Sequence, residues 1–407
     1  MAVPVHPIVY RGSVKNVRRV RPPRKRNPGL YVFEFTDDYS VFDFGKMPDP
    51  IRGKGCALAG MSAYLFEELA KSASWKKLAR RSDPWERFGG NKLKKRLLGS
   101  PAGKEILARG LKTHYEGLLD RQGRRRSLAE LEEPTNRILV KAVPVLSPAS
   151  VCVDGRDLWD YSAFHPSVEQ FLIPLENVFR FGLPLGSSLL DRMGQNAAYA
   201  RELGLEGIPA EGQWLSRPVV EFSTKLEPSD RYLPAEMAFS FCGLDGKQFQ
   251  ELLDRTLLVA IFLFALFEER GLELWDGKLE FVKTGGGILL ADTITPDELR
   301  ITCRRTQISK EPLRQYYKHH DKEFLGAIQG IKREGLSSGS VRKRVVERLG
   351  RSPQKLVEEF RWTVEQMYRA VTHRLTGSEL FAGPVGLEEI LDSLERFQES
   401  SMSVPAV

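Results

Sequence analysis

Apolar and charged positions alternate between Trp275 and Phe281, where Trp275, Leu279 and Phe281 fall between Asp276, Lys278 and Glu280. That period of two predicts a strand with its charges on one face, and Gly277 within it marks a bend or a close approach by a neighbour. Gly285, Gly286 and Gly287 then predict a hairpin-like turn into a second strand, Ile288 to Ala291, which ends in Asp292. If the strands pair, Glu280 lies near Asp292, and two adjacent carboxylates suit a hard cation such as Mg²⁺ bridging nucleotide phosphates. An ordinary hairpin with a solvated face has the same pattern.

Similar alternation predicts a small antiparallel sheet at the start of the chain, from Val14 to Val20 and from Leu30 to Phe35. Further strands are expected at Ile138 to Val145, around Lys141, at Phe171 to Phe181, with Arg180 near its end, and at Val219 to Leu226, containing Lys225. Helical spacing marks Gly55 to Leu69, Gly103 to Leu119 and a long buried helix from Phe249 to Arg270. After Lys310 the pattern turns helical, with candidates at Val341 to Leu349, Pro353 to Leu375 and Leu387 to Phe397. Ser147 to Ser167 reads as loop, with Pro144 as a boundary. The irregular mixture favours an α+β fold, divided into a β-rich lobe at 1–143, a second lobe at 144–332 and a helical extension at 333–407.

At 407 residues, 42% apolar and 28% charged, the chain has the make-up of a globular protein with a sizeable core. Its formal charge of +8 suits nucleic acid or an anionic small substrate. The densest basic runs, Arg18 to Arg26, Lys92 to Arg96 and Arg121 to Arg126, lack interleaved aromatics, so they are expected to be solvated loops rather than a nucleic-acid platform. Four scattered cysteines and six histidines show neither CxxC nor HExxH spacing, which fits a reduced, cytoplasmic compartment and no zinc site. No signal-peptide pattern opens the chain, and its longest apolar run, Leu257 to Phe267, is about half of what a bilayer requires, so no membrane role is expected.

Three more segments carry chemistry. Tyr10 to Val17, YRGSVKNV, puts a glycine and Lys15 where main-chain N–H groups and a point charge can meet phosphates, although an edge strand would read the same. Phe35 to Pro50 crowds Asp37, Asp38, Asp43 and Asp49 among aromatics and turn formers. Arg180 to Arg192, RFGLPLGSSLLDR, combines an arginine, flexible glycines and the pair Ser187 and Ser188 ahead of a helix, a composition suited to a monophosphate or to a serine N-cap.

In this order the segments resemble the SAICAR synthetase family, over most of residues 8 to 320. The family's YxGKxKxVY start stands here as YRGSVKNV and its acidic loop as FTDDYSVFD. VPxExxxRxxxxGSL stands as IPLENVFRFGLPLGSSL, and the DxKxEFG hairpin with its following strand and SPDxxR as DGKLEF and LLADTITPDELR. The resemblance implies an N-terminal antiparallel β lobe, an ATP-grasp-like second lobe and, here, a helical C-terminal extension. It also implies an ATP-dependent amide ligase of purine biosynthesis that joins carboxyaminoimidazole ribonucleotide (CAIR) to L-aspartate, with small molecules as its only substrates.

Carried over by motif, Gly12, Ser13, Val14 and Lys15 would line the ATP phosphates, and Lys141 would sit on the strand leading into the interlobe connection. Lys225 would stand at the nucleotide, Glu280 and Asp292 would bind Mg²⁺-ATP, and Asp43 would lie near the reacting carboxylates. Arg180 with Ser187 or Ser188 would hold the ribotide phosphate, so that Arg180→Ala mainly raises the ribotide requirement. Lys278 and Arg300 would face the same substrate, while Arg314, with Lys310 as a companion, would close the site. Ser13 departs from the family's usual lysine, and the longer serine run leaves both serines as candidates. The rival readings are a ligase of the same fold on another ribotide or amino acid, an RNA-binding protein, and a kinase-like phosphotransferase, which lacks HRD and DFG segments. The tail is open as an oligomer contact or a helical brace.

Overall fold

The computed structural model describes residues 2–4, 7–334 and 341–402. Positions 335–340 and 403–407 of the expected extension lie outside the described residues. The first sheet comprises β1 (Ile8–Arg11), β2 (Lys15–Arg21), β3 (Gly29–Phe35), β4 (Tyr115–Leu119), β5 (Arg125–Arg126) and β6 (Arg137–Ala142), in the spatial order β1-β2-β3-β6-β4-β5. A separate hairpin of β7 (Ala149–Val153) and β8 (Arg156–Asp160) follows. The second sheet is formed by β9 (Phe171–Gly182), β10 (Trp214–Thr224), β11 (Tyr232–Leu233), β12 (Glu273–Thr284), β13 (Gly287–Ala291), β14 (Leu299–Cys303) and β15 (Thr306–Gln307). Its order is β11-β10-β9-β12-β14-β15, with β13 paired to β12.

Side-chain alternation decides what each face of the second sheet does. Phe179, Phe181, Leu279 and Phe281 are buried, and Phe181 packs 4.9 Å from Phe264 of the long helix Gly246–Glu268. That helix opens with a capping box between Asp245 and Gln248. Gly277 is needed because a Cβ there would lie 2.3 Å from Leu299 and 2.8 Å from Phe179. Glu176, Arg180, Glu221, Asp276, Lys278 and Glu280 alternate with these apolar residues and share the opposite face.

The two sheets are stitched at β13. The Leu290 N–H donates to the Lys112 carbonyl (3.2 Å), and the His114 N–H donates to the Leu290 carbonyl (2.9 Å). Lys141 N–H in turn donates to the His114 carbonyl (2.7 Å). The hairpin singled out by alternation is thus also the seam between the two sheets.

Three expectations are corrected. Gly103 to Leu119 is not one helix: the helix Pro101–Arg109 stops at Gly110, whose φ of 80° and contact with the Ala70 backbone exclude a Cβ, and β4 follows. Ser147 to Ser167 contains the β7-β8 hairpin, turned by Asp154 and Gly155, both at positive φ. The basic runs are not all loops. Arg18, Arg19 and Arg21 lie on β2, and Lys92 to Arg96 on the helix Gly90–Gly99. Arg96 pairs with Asp254 at 2.8 Å, and Arg124 and Arg126 pair with Asp120.

Candidate active site

The Gly12 to Val14 segment turns β1 into β2, with the Gly12 N–H donating to the Lys15 carbonyl (2.9 Å). The turn delivers Lys15 to Asp292, with which it is ion-paired across the seam. Glu280 pairs in register with Ala291, so Asp292 follows directly beside it, and Lys225 lies 2.6 Å from Glu280. Lys225 also reaches Glu176 (3.2 Å), which accepts from Lys278 (2.7 Å) and from the Ser223 hydroxyl (3.2 Å). Lys15 and Lys278 on strands, Lys225 directly after β10, and three carboxylates therefore form one partly buried lattice.

The charges in this lattice are tuned against each other. Burial, and next the neighbouring Asp292, push the Glu280 carboxyl up to about 7. Asp292 moves the other way: burial opposes its charge, but Lys15 and Lys225 outweigh burial and hold it below the usual carboxylate range. Glu176 is held low likewise by Lys278 and Lys225 against burial. Beneath Asp292, His114 Nε2 lies 2.8 Å from the Asp292 carbonyl, and burial lowers its pKa to about 4, leaving the ring neutral. Asp292 has a φ of 57°, and Phe42 and Asp43 of the acidic loop have 55° and 63°. Left-handed backbone at non-glycine residues costs energy and concentrates at working sites.

Further along the same sheet face lies a second ionic cluster, centred on Arg180. It is 1% exposed, and it is held by Glu221 and by Asp276 at 2.6 Å. Arg300 makes two bonds to Asp276, at 2.8 and 2.6 Å. Arg192 and the Tyr199 hydroxyl each donate to Glu221 at 2.7 Å. Arg180 is therefore an internal counter-ion, not an exposed phosphate ligand. The more accessible arginines here are Arg192 and Arg300.

Ser187 stands at the N-cap of the helix Ser188–Gln195 without a side-chain cap bond, and its buried hydroxyl has no hydrogen-bond partner among the described residues. Ser188 is exposed, and its hydroxyl accepts from Arg192 (3.1 Å). Lys318 and Glu311, on the helix Glu311–His320, approach Gly186 of the same loop.

The far rim is built by the acidic loop. Asp43 pairs with Lys332 (2.6 Å) within electrostatic reach of Lys310 and Arg314. Burial first, with Arg314 and Lys54 after it, lowers the Lys310 pKa against the pull of Asp297. Arg314 reaches Glu311 at 3.2 Å.

Lys141 does not join the lattice. Registers of Ile138 with Phe33 and of Lys141 with Leu30 put its side chain on the sheet face opposite Phe33, over whose ring Lys15 lies. It is paired there with Glu116 (2.5 Å). Sequence reasoning missed Glu176, Arg192, His114, Lys54, Lys318 and Tyr368. The first was visible only as the glutamate of IPLENVFR, and Arg192 only as the last residue of the serine loop.

Among the described residues no group of three or more His, Cys, Asp or Glu side chains forms a metal cage, and no helix is long and apolar enough to cross a membrane. The four cysteines are free. A divalent ion held by one or two carboxylates together with substrate phosphates needs no such cage. Glu280 and Asp292 stand side by side as two such carboxylates, with Lys225 and Lys15 already paired to them.

The SAICAR synthetase profile matches residues 8–113 and 167–331. A putative phosphoribosylaminoimidazole-succinocarboxamide synthase of Archaeoglobus fulgidus is 33% identical over 391 residues, covering 95% of this chain and 100% of the relative. The phosphoribosylaminoimidazole-succinocarboxamide synthase of Thermoplasma acidophilum is 24% identical, covering 91% of this chain and 99% of its own length. The solved structure of a SAICAR synthase superposes with a TM-score of 0.50 at 18% identity, over 92% of this chain and 95% of that one, and shares its fold. With the profile covering well over half of its residues and a relative aligned along nearly its whole length, this chain belongs to the SAICAR synthetase family.

Proposed function

We propose that the chain is a phosphoribosylaminoimidazole-succinocarboxamide synthase, a carbon–nitrogen ligase that consumes ATP to join CAIR and L-aspartate into SAICAR, releasing ADP and phosphate. The observation that carries this reading is the lattice of Lys15, Lys225 and Lys278 on Asp292, Glu280 and Glu176, set at the seam of two sheets.

A carboxylate is a poor acylating agent until one of its oxygens is phosphorylated. In the reaction the CAIR carboxylate takes the γ-phosphoryl of ATP, the β–γ bridging P–O bond breaks, and ADP leaves. The aspartate amine then attacks the acyl phosphate, the C–N bond forms, phosphate departs and the nitrogen sheds a proton. Such chemistry is mostly positioning and charge neutralisation. Lys15 and the Gly12–Val14 turn face the phosphates from the first lobe, and Lys225 neutralises the moving phosphoryl group from the second. Mg²⁺, held by Glu280 and Asp292, would supply further neutralisation of phosphate charge when bound. Asp43, at the rim, is assigned to taking the proton from the amine. Ser187, Ser188, Arg192 and Arg300 are assigned to the ribotide phosphate, with Arg180 fixing the carboxylates beneath them, while Lys278, bonded to Glu176, is assigned to the same substrate. Arg314 and Lys310 stand within electrostatic reach of Asp43.

The test is ADP release with ATP, Mg²⁺ and CAIR, adding each amino acid in turn. Aspartate-dependent release is expected, and its absence would sink the reading; turnover with another amino acid alone would favour a sister ligase. Asp292→Asn should lower kcat by about a hundredfold without changing the circular dichroism spectrum, since it removes a preorganised charge from the reacting centre. A near-normal rate would contradict the role given to Asp292.

A further inference from the structure

Residues beyond 331 lie outside the family-profile match, yet the helix Glu358–Thr376 reaches the buried ion pair of Lys54 and Asp297. The Tyr368 hydroxyl donates to Asp297 Oδ1 (2.7 Å), while Lys54 Nζ lies 2.8 Å from Asp297 Oδ2. All three groups are buried: Lys54 is 0% exposed and Tyr368 1%. Lys54 also donates to the Asp38 carbonyl (3.3 Å) of the acidic loop, and Asp297 belongs to the segment that joins Asp292 to Arg300. One tyrosine of the extension therefore closes a three-way junction between the loop carrying Asp43, the segment carrying Asp292 and Arg300, and the C-terminal helix.

Neighbouring contacts run the same way. The Glu365 carboxylate accepts from the Arg52 N–H (3.1 Å), and the Leu356 N–H donates to Asp49 (2.7 Å). The Val357 N–H donates to the Tyr316 hydroxyl (3.1 Å) on the helix that starts after Lys310. The extension thus holds both the segment around the acidic loop that carries Asp43 and the helix that carries Arg314.

We propose that the C-terminal helix is a working part of the site and that Tyr368 is a positioning residue, holding Asp297 so that Lys54 fixes the acidic loop against the Asp292–Arg300 segment. A buried carboxylate relieved of one donor turns toward the cations that remain. The cations that remain are Lys54, already bonded to Asp297, and Lys310, which feels its charge, so loss of the hydroxyl would redistribute charge at the rim. The kinetic part of this inference rests on the proposed ligase activity; the positional part does not.

The variant is Tyr368→Phe in the full chain, which keeps the ring beside Lys54. Its control is Thr372→Val, which removes from the same helix a hydroxyl bonded to the Tyr368 carbonyl (2.8 Å) and the Ala57 carbonyl (3.3 Å), without touching Asp297 or the Tyr368 hydroxyl. Tyr368→Phe should lower kcat about tenfold, the scale of losing a hydrogen bond to a buried charge, with Thr372→Val near wild type at equal folded fraction. Amide exchange in 37–49 and 292–300 should rise in Tyr368→Phe and not in Thr372→Val. Wild-type turnover with indistinguishable variants would overturn this inference alone. If the wild type shows no aspartate-dependent turnover, the ligase reading fails, and exchange unchanged by Tyr368→Phe would then overturn the positional inference independently.

Discussion

Replacing Arg180 by alanine tests how the sheet face is organised. The guanidinium binds Glu221 through Nε and Asp276 through one terminal nitrogen, in a place closed to solvent. Burial opposes its charge, yet Glu221 and Asp276 outweigh burial and raise its pKa. Removing one partner of such a buried pair costs roughly 3–5 kcal/mol, because an uncompensated charge stays behind. Here the loss falls mainly on one oxygen. Glu221 Oε1 keeps Arg192 and Tyr199, and Asp276 keeps both bonds from Arg300, but Glu221 Oε2 has no other hydrogen-bonding partner among the described residues. The lower end, about 3 kcal/mol, is therefore expected. In urea unfolding followed by tryptophan fluorescence, a slope near 3 kcal/mol/M would turn this into a midpoint lowered by about 1 M. Arg180→Met with Glu221→Gln should recover part of the loss, since the pair is then absent rather than broken. An arginine free to grip a ribotide phosphate would give the opposite result, an unchanged midpoint with only the ribotide KM raised. That outcome would refute the account.

Lys141→Ala should leave the KM for ATP within about twofold of wild type and stability within about 0.5 kcal/mol, because its partner is the surface carboxylate of Glu116. A tenfold rise in KM for ATP would return Lys141 to the nucleotide. Asp297 supplies a pH test. Burial opposes its charge, but Lys54 and then Lys310 lower its pKa from 3.8 to about 2. A depressed carboxyl adds stability that is present above its unfolded value and lost as pH falls through its folded value. The stability advantage of wild type over Asp297→Asn should therefore shrink by about 2 kcal/mol between about pH 4 and pH 2. A constant difference in urea unfolding across that window would contradict a charged, lysine-held Asp297.

What could be read from the chain was what repeats locally. The alternation around Lys278 and Glu280 is a property of adjacent residues, and once the glycine turn is recognised, pairing in register forces Asp292 beside Glu280. Alternation shows that two faces differ; it does not show what each face meets. Lys141 and Lys15 both stand on strands of the first sheet, and only the registers through β3 put them on opposite sides. Arg180 is a harder case, because the acids that neutralise it stand 41 and 96 positions away. Its surrounding composition is the same whether the arginine binds a phosphate or a carboxylate of its own chain. Lys54 and Tyr368 are further out of reach, since a lysine following a glycine reads as solvated until a helix from the end of the chain closes over it. Charge compensation depends on long-range packing, so the acids and bases of this site were nameable one at a time, while their partners, which set which groups stay exposed to a substrate, became visible only with the strands and helices in place.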